Sequence, residues 1–303
     1  FALARRIAGT RAAALAAAAV TTLAGWGVLL VWSQGAQDLW MLFFALLALH
    51  AVLRDRPGRA VAAQLLALLS KETAALLPVA AFGLEWLVRG RRPAEALRRV
   101  APMIALAVTW AVLHPLLGGR LWWPRPHEAL PGLHPPAAIV AGRTLLALVN
   151  LHEWPAPEAG WAAALRTAVP GVLALLALVV LLARDDRRGR KARPVLLRTV
   201  TPASPARAAA FGGLWALCGW GPLFMPTIGW HAYHGLFGAL GAWLALAVPL
   251  ARVARASWLA VAVLAVLHAG QATTPVHDWG TEWFQRRAAA FSEESRAQLL
   301  RLR

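Results

Sequence analysis

Cysteine is almost missing from this chain. Cys218 is the single one in 303 residues. No intrachain disulfide and no cysteine-based metal site is therefore open to it, and in its apolar run it reads as a small core residue. Acid is scarce as well: 14 Asp and Glu stand against 31 Lys and Arg, a formal net charge of +17. Such an excess invites a nucleic-acid partner. The basic residues, however, lie in short clusters between apolar stretches, as orientation signals do, and anionic inner-leaflet lipid is a sufficient partner for them. No nucleic acid is expected. The sequence also has no glycine-rich phosphate loop, no HExxH pair, no nucleophile elbow and no solenoid repeat. No cleaved signal peptide is expected in this stretch either, because the opening cluster of Arg5, Arg6 and Arg11 runs straight into a long apolar stretch. The chain reads as an internal piece whose N-terminus lies upstream of Phe1.

What the chain has in abundance is apolar sequence. Hydrophobic residues make up 59% and the mean hydropathy is +0.55. A soluble domain is nearer 45–50% apolar, so an all-α polytopic membrane protein is expected. If Lys/Arg-rich segments stay inside, full spans fall at residues 12–32, 39–53, 100–117, 167–183, 208–225, 231–251 and 256–272. This makes seven, with residues 1–272 as the membrane domain and 273–303 as an extracytoplasmic tail whose end, Phe284 to Arg303, looks like an amphipathic helix. Residues 118–166 form the main outer region. Its first part is too rich in Gly and Pro for a helix, and residues 137–151, carrying Arg143, read as an interfacial helix. The composition suggests a bacterial inner membrane.

One stretch breaks the apolar pattern. Leu65 to Pro78 reads LLALLSKETAALLP, with Ser70, Lys71, Glu72 and Thr73 in its middle. A charge at a bilayer centre costs about 2.5–3.5 kcal/mol on insertion scales, so such residues face a cavity, a partner or the interface. Arginines flank the stretch on both sides, at 54, 56 and 59 and again at 89, 91, 92, 98 and 99. Both ends then lie inside, and the run must go in and come back. Each arm is about a dozen residues, or about 18 Å, against a hydrocarbon core of about 30 Å. The expected form is a short, protein-packed, re-entrant-like hairpin presenting Lys71 and Glu72 near the outer face. The plainer alternative is that these two neutralise each other at a turn.

Other polar groups fall on the same outer side. His231 and His234 are three apart and share a face if a helix starts that early. With His127 or Glu128 from the outer loop they form a candidate divalent-cation set, although the plainer reading is a polar rim beside Trp230 and Tyr233. No metal is assigned. Arg143 either meets an anion or snorkels.

Taken in order, the segments ARRIAGTRAA, WSQGAQDL, RDRPGR and LLALLSKETAALLP resemble the membrane region of GT-C-type glycosyltransferases. The likeness is greatest to the protein O-mannosyltransferase-like group whose membrane part precedes tetratricopeptide repeats. Trp32, Ser33, Gly35 and Asp38 match that group's W-x-S-G-x-x-D segment, and Ser70, Lys71, Glu72, Thr73 and Pro78 match its SKE-T segment. HDWGTEWFQRR, from His277, is similar to the segment leading out of the last span. The resemblance implies transfer of a sugar from a polyprenyl-phosphate donor to a protein or glycan acceptor at the outer face, with inversion. The absence of a nucleotide-sugar domain agrees with a lipid-linked donor. Lys71, His231, His234 and Arg143 are then the candidate donor-phosphate partners, with Asp38 and Glu72 as supporting carboxylates. Trp32, His127, Glu128 and Tyr233 line the acceptor side. The group's catalytic carboxylate is expected upstream of Phe1. Two departures favour a rival reading, a non-catalytic scaffold or binding subunit of an envelope complex. Val28 stands where the group has a Glu, and His231-Ala232-Tyr233-His234 replaces its Arg-Tyr pair.

Overall fold

The structure, a computed structural model, describes residues 1–31, 35–116, 136–151, 203–225, 230–272 and 282–301. Among them there is helix and turn and no strand. The helices are α1 (Ala2–Thr21), α2 (Gly25–Val31), α3 (Ala36–Leu53), α4 (Pro57–Ser70), α5 (Leu77–Gly83), α6 (Pro93–Leu116), α7 (Ala137–Ala147), α8 (Pro205–Trp220), α9 (Leu236–Leu250), α10 (Ala254–Ala272) and α11 (Glu282–Arg301). Short 3-10 turns at Glu72–Leu76, Gly221–Phe224 and Ala232–Gly235, and one π turn at Leu84–Val88, complete them.

Against seven expected spans, the described residues hold three helical stretches long and apolar enough to cross a membrane: Ala36–Leu53, Pro93–Leu116 and Ala232–Leu250. The expected span 167–183 lies outside the described residues. Residues 256–272 fall within α10, which is not among the three, and two further expected spans differ for local reasons. Residues 12–32 are interrupted after Thr21, and α1 instead begins inside the basic cluster, bending at Gly9, whose φ of 82° no helix accommodates. In 208–225 the α-helix stops at Trp220 and tightens into a 3-10 turn at Pro222. Residues 137–147 form a helix, α7, which at 11 residues is too short to cross a membrane. The helix expected at Phe284–Arg303 is present as α11.

Residues 57–88 fold as a helical hairpin broken at Lys71. Proline opens α4 at its first position, where a missing N–H costs nothing. The helix ends where Lys71 turns fully extended (φ −158°, ψ 137°). The chain then returns through the 3-10 turn, α5 and the π turn. At the far end Arg89 reaches back to the Val52 carbonyl at 3.1 Å and to the Asp55 carboxylate, so both ends of the hairpin close on the same side.

Small residues set the tightest packing. A Cβ on Gly212 of α8 would sit 2.6 Å from the Ala245 nitrogen, and one on Gly241 of α9 would sit 2.6 Å from the Ala216 nitrogen. The two backbones are thus in contact, the arrangement by which helices associate where apolar surface has no water to leave. Phe211, Trp215 and Phe237 pack in series along this seam, with ring centroids 5.8 and 5.7 Å apart.

The bundle therefore has two chemically distinct ends. The basic end carries Asp55, Arg89, Arg91 and Arg99, together with the starts of α1 and α8 and the turn after α9. At the other end lie Asp38, Lys71 and Tyr233.

Candidate functional site

Lys71 and Asp38 meet across 33 residues of sequence. The extended turn after α4 points the ammonium at the first turn of α3, where Asp38 sits. Its Nζ donates to both carboxylate oxygens, at 2.6 and 2.7 Å. Both side chains are more than nine-tenths buried. A carboxylate in the first turn of a helix also faces the positive end of the helix dipole. The alternative in which Lys71 and Glu72 neutralise each other is thereby corrected: the partner of Lys71 is Asp38. The hairpin packs α4 against α3, so that Asp38 faces Lys71. Glu72 is half-buried next to the pair.

Tyr233, the single tyrosine, completes the group. Its ring centroid lies 5.9 Å from the Lys71 nitrogen. His231 stacks on that ring at 5.3 Å, His234 meets it edge-on at 4.2 Å, and the two imidazoles lie 5.5 Å apart. The 3-10 turn Ala232–Gly235, rather than a full helical turn, holds the two histidines on one side. Beside them Arg143 of α7 lies over the Trp230 ring at 5.5 Å, and the Trp230 indole donates to the Thr144 hydroxyl at 3.0 Å. Asp38, Lys71, Tyr233, His231 and His234 are thus brought together, and Arg143 is held at Trp230 on the rim.

Trp32, His127 and Glu128 lie outside the described residues. Among the described residues no group of three metal-ligating side chains occurs, so the divalent-cation set would need the outer loop. The cavity beside this cluster, between Leu23, Thr144, Trp220, Trp230, His231 and Leu236, is about 10 Å³, room for about one water.

Three polar residues that matter to the structure are missing from the expectations above. Asn150 is fully buried with φ 58°, a conformation that Asn tolerates better than most side chains. Its amide accepts from the Ala24 N–H at 2.8 Å and donates to the carbonyls of Thr22 (2.7 Å) and Leu264 (3.0 Å), clamping α1, α7 and α10 together. Gln64 donates to the Met103 carbonyl at 3.0 Å, tying α4 to α6. Glu85, in the π turn, is buried between Arg89 and Arg91 at 3.2 and 2.6 Å. A lone polar residue in an apolar run (ALVNL, FGLEWLV) is the signal that finds all three.

No family model matches the chain, and no curated protein or solved structure matches it either.

Proposed function

We propose that the chain is the membrane region of a GT-C-type glycosyltransferase. It would transfer a sugar from a polyprenyl-phosphate donor to a protein or glycan acceptor on the extracytoplasmic side of a bacterial inner membrane. The observation that carries this reading is the meeting of Asp38, Lys71 and Tyr233 at one buried point. They come from three segments far apart in sequence, and two of these segments carry the resemblance. The arginine-rich opposite end favours the orientation in which Lys71 faces outward. Lys71, with His231, His234 and Arg143 near it, meets the donor phosphate. A cation held in a dry setting stabilises a phosphate leaving group far better than one in water. Asp38 fixes the ammonium in place, and Glu72 orients groups beside it.

The second reading is the non-catalytic scaffold. One observation favours it: Lys71 is already neutralised by two short hydrogen bonds, beside a cavity that admits about one water. The two readings part on a single variant. The full protein in lipid vesicles is given a polyprenyl-phosphate sugar and an acceptor, and donor consumption is followed. Replacing the pair together, Lys71→Met with Asp38→Asn, leaves a neutral site of similar shape. The enzyme reading expects a folded protein with at least a hundredfold lower transfer, on the scale of losing one preorganised electrostatic contact. Transfer at the wild-type rate by the folded double variant removes Lys71 from the chemistry. A wild type that leaves the donor intact supports the scaffold.

A further inference from the structure

An opening lies at the basic end, away from Lys71. It is a groove of about 520 Å³ between the start of α1, the start of α8 and the turn after α9. Small-molecule sites commonly measure about 300–1,000 Å³. Local sequence builds it. The positive φ of Gly9 bends α1 away from its neighbours. The Ala203 N–H donates to the Ile7 carbonyl at 3.2 Å, anchoring the entry to α8 beside the bend. Ser204 caps that helix by accepting from the Arg207 N–H.

Its lining is of two kinds. Arg11 and Arg252 stand exposed on separate elements, with the hydroxyls of Thr10 and Ser204 beside them, while Ala208 and Val248 belong to an apolar floor. Among the described residues no Asp or Glu lines the groove. The contrast with the rest of this end is sharp. Arg89, Arg91 and Arg99 are each held by a carboxylate, whereas Arg11 and Arg252 have no ion pair among the described residues.

We propose that this groove binds the phosphate-bearing headgroup of an anionic phospholipid, with Arg11 and Arg252 as its cationic partners. Phosphate is the chemistry that two planar guanidinium forks recognise best. Two features point to a lipid rather than a free anion. The floor is apolar, and the groove opens at the end of α9, whose stretch Ala232–Leu250 is long and apolar enough to cross a bilayer, where a headgroup sits with its acyl chains alongside. Basic pockets between helix ends take anionic headgroups in this way. The inference needs the chain in a membrane but does not need sugar transfer.

The test uses the full chain in a neutral detergent, titrated with phosphatidylglycerol, phosphatidylcholine and soluble glycerol phosphate. Bound lipid is read by native mass spectrometry, and folding by the thermal midpoint. Each arginine near an anionic surface contributes about a fivefold gain. Wild type should therefore prefer phosphatidylglycerol over phosphatidylcholine by at least tenfold, and Arg11→Gln with Arg252→Gln should remove that preference. Arg92→Gln with Arg98→Gln, exposed at the same end but outside the groove, should keep it. Ala251→Phe, which fills the groove and spares both arginines, should weaken it. Equal binding of the two lipids, an equal loss in the Arg92/Arg98 variant, or a preference that survives loss of Arg11 and Arg252 overturns the proposal. So does full displacement by glycerol phosphate at equal concentration, which would mark a free-anion site.

Discussion

The two ends of the bundle handle opposite charges in opposite ways. At one end a single acid meets a single base, both enclosed, with an aromatic ring as the nearest further company. At the other, Asp55, Glu85 and Glu95 are shared among Arg89, Arg91 and Arg99 in a chain of ion pairs. That chain runs from the buried Glu85 to the half-exposed Asp55 and Arg99. Among the described residues the enclosed pair has no ion-pair partner beyond itself. The network has several, and its outer members reach solvent. Charge at the Lys71 end is thus committed to one geometry, whereas charge at the basic end is distributed and tolerant.

The most direct way to break this contrast is to remove half of the enclosed pair. Lys71→Met leaves Asp38 buried and unpaired, which should cost about 3–5 kcal/mol, read as denaturant or thermal unfolding in detergent. Adding Asp38→Asn should restore most of it, since a neutral pair of similar volume is often no less stable than a buried ion pair. A Lys71→Met protein as stable as wild type would mean that water reaches Asp38.

In the network the largest loss should come at its buried member. Glu85→Gln keeps the shape but gives up one charge-assisted hydrogen bond, from Arg89 at 3.2 Å, and the close ion pair with Arg91 at 2.6 Å. Hydrogen bonds to charged groups contribute about 1.5–3 kcal/mol. The expected loss lies near the low end, because Asp55 and Glu95 still serve the two arginines. A loss as large as that of Lys71→Met would show that the network is as brittle as the pair.

How much of this was legible beforehand follows from the same contrast. The hairpin was readable because its cause is local: charged residues inside an apolar run, flanked by arginine on both sides. The short helix α7 and the helical tail are readable from length and pattern. The partner of Lys71 was not, since the choice between Glu72 and Asp38 depends on how an extended break aims a side chain and on which helix packs alongside. Asn150 shows the same limit. One polar residue in ALVNL announces that something must satisfy it, but its three partners lie at residues 22, 24 and 264. The bend at Gly9 was hidden because α1 is rich in alanine and good helix former on both sides of it. In the groove beside that bend, Arg11 and Arg252 belong to separate basic clusters of the sequence, and only the packing puts them on one opening.

The smallest expected effect, at Asp55, isolates charge from shape. Asp55 sits at φ 52°, in the left-handed region that Asp and Asn both tolerate, so Asp55→Asn changes charge without straining the turn. The Arg89 guanidinium hydrogen-bonded to it, with the charges of Arg89, Arg99 and Arg91, holds its carboxyl below the usual carboxylate range. A depressed folded value means that this group adds stability above the unfolded value of about 4 and loses it as the pH falls through the lower folded value. The side chain is 48% exposed, so solvent and salt screen the contribution. Wild type should therefore lose a small increment of stability between about pH 4 and more acid solution, and Asp55→Asn should lack that step. Raising the ionic strength should shrink the difference between the two proteins. Asp38 offers the counterpart: its pair with Lys71 is enclosed, and the stability it contributes should respond far less to salt. If both respond equally, the enclosure at the Lys71 end is not what separates the two.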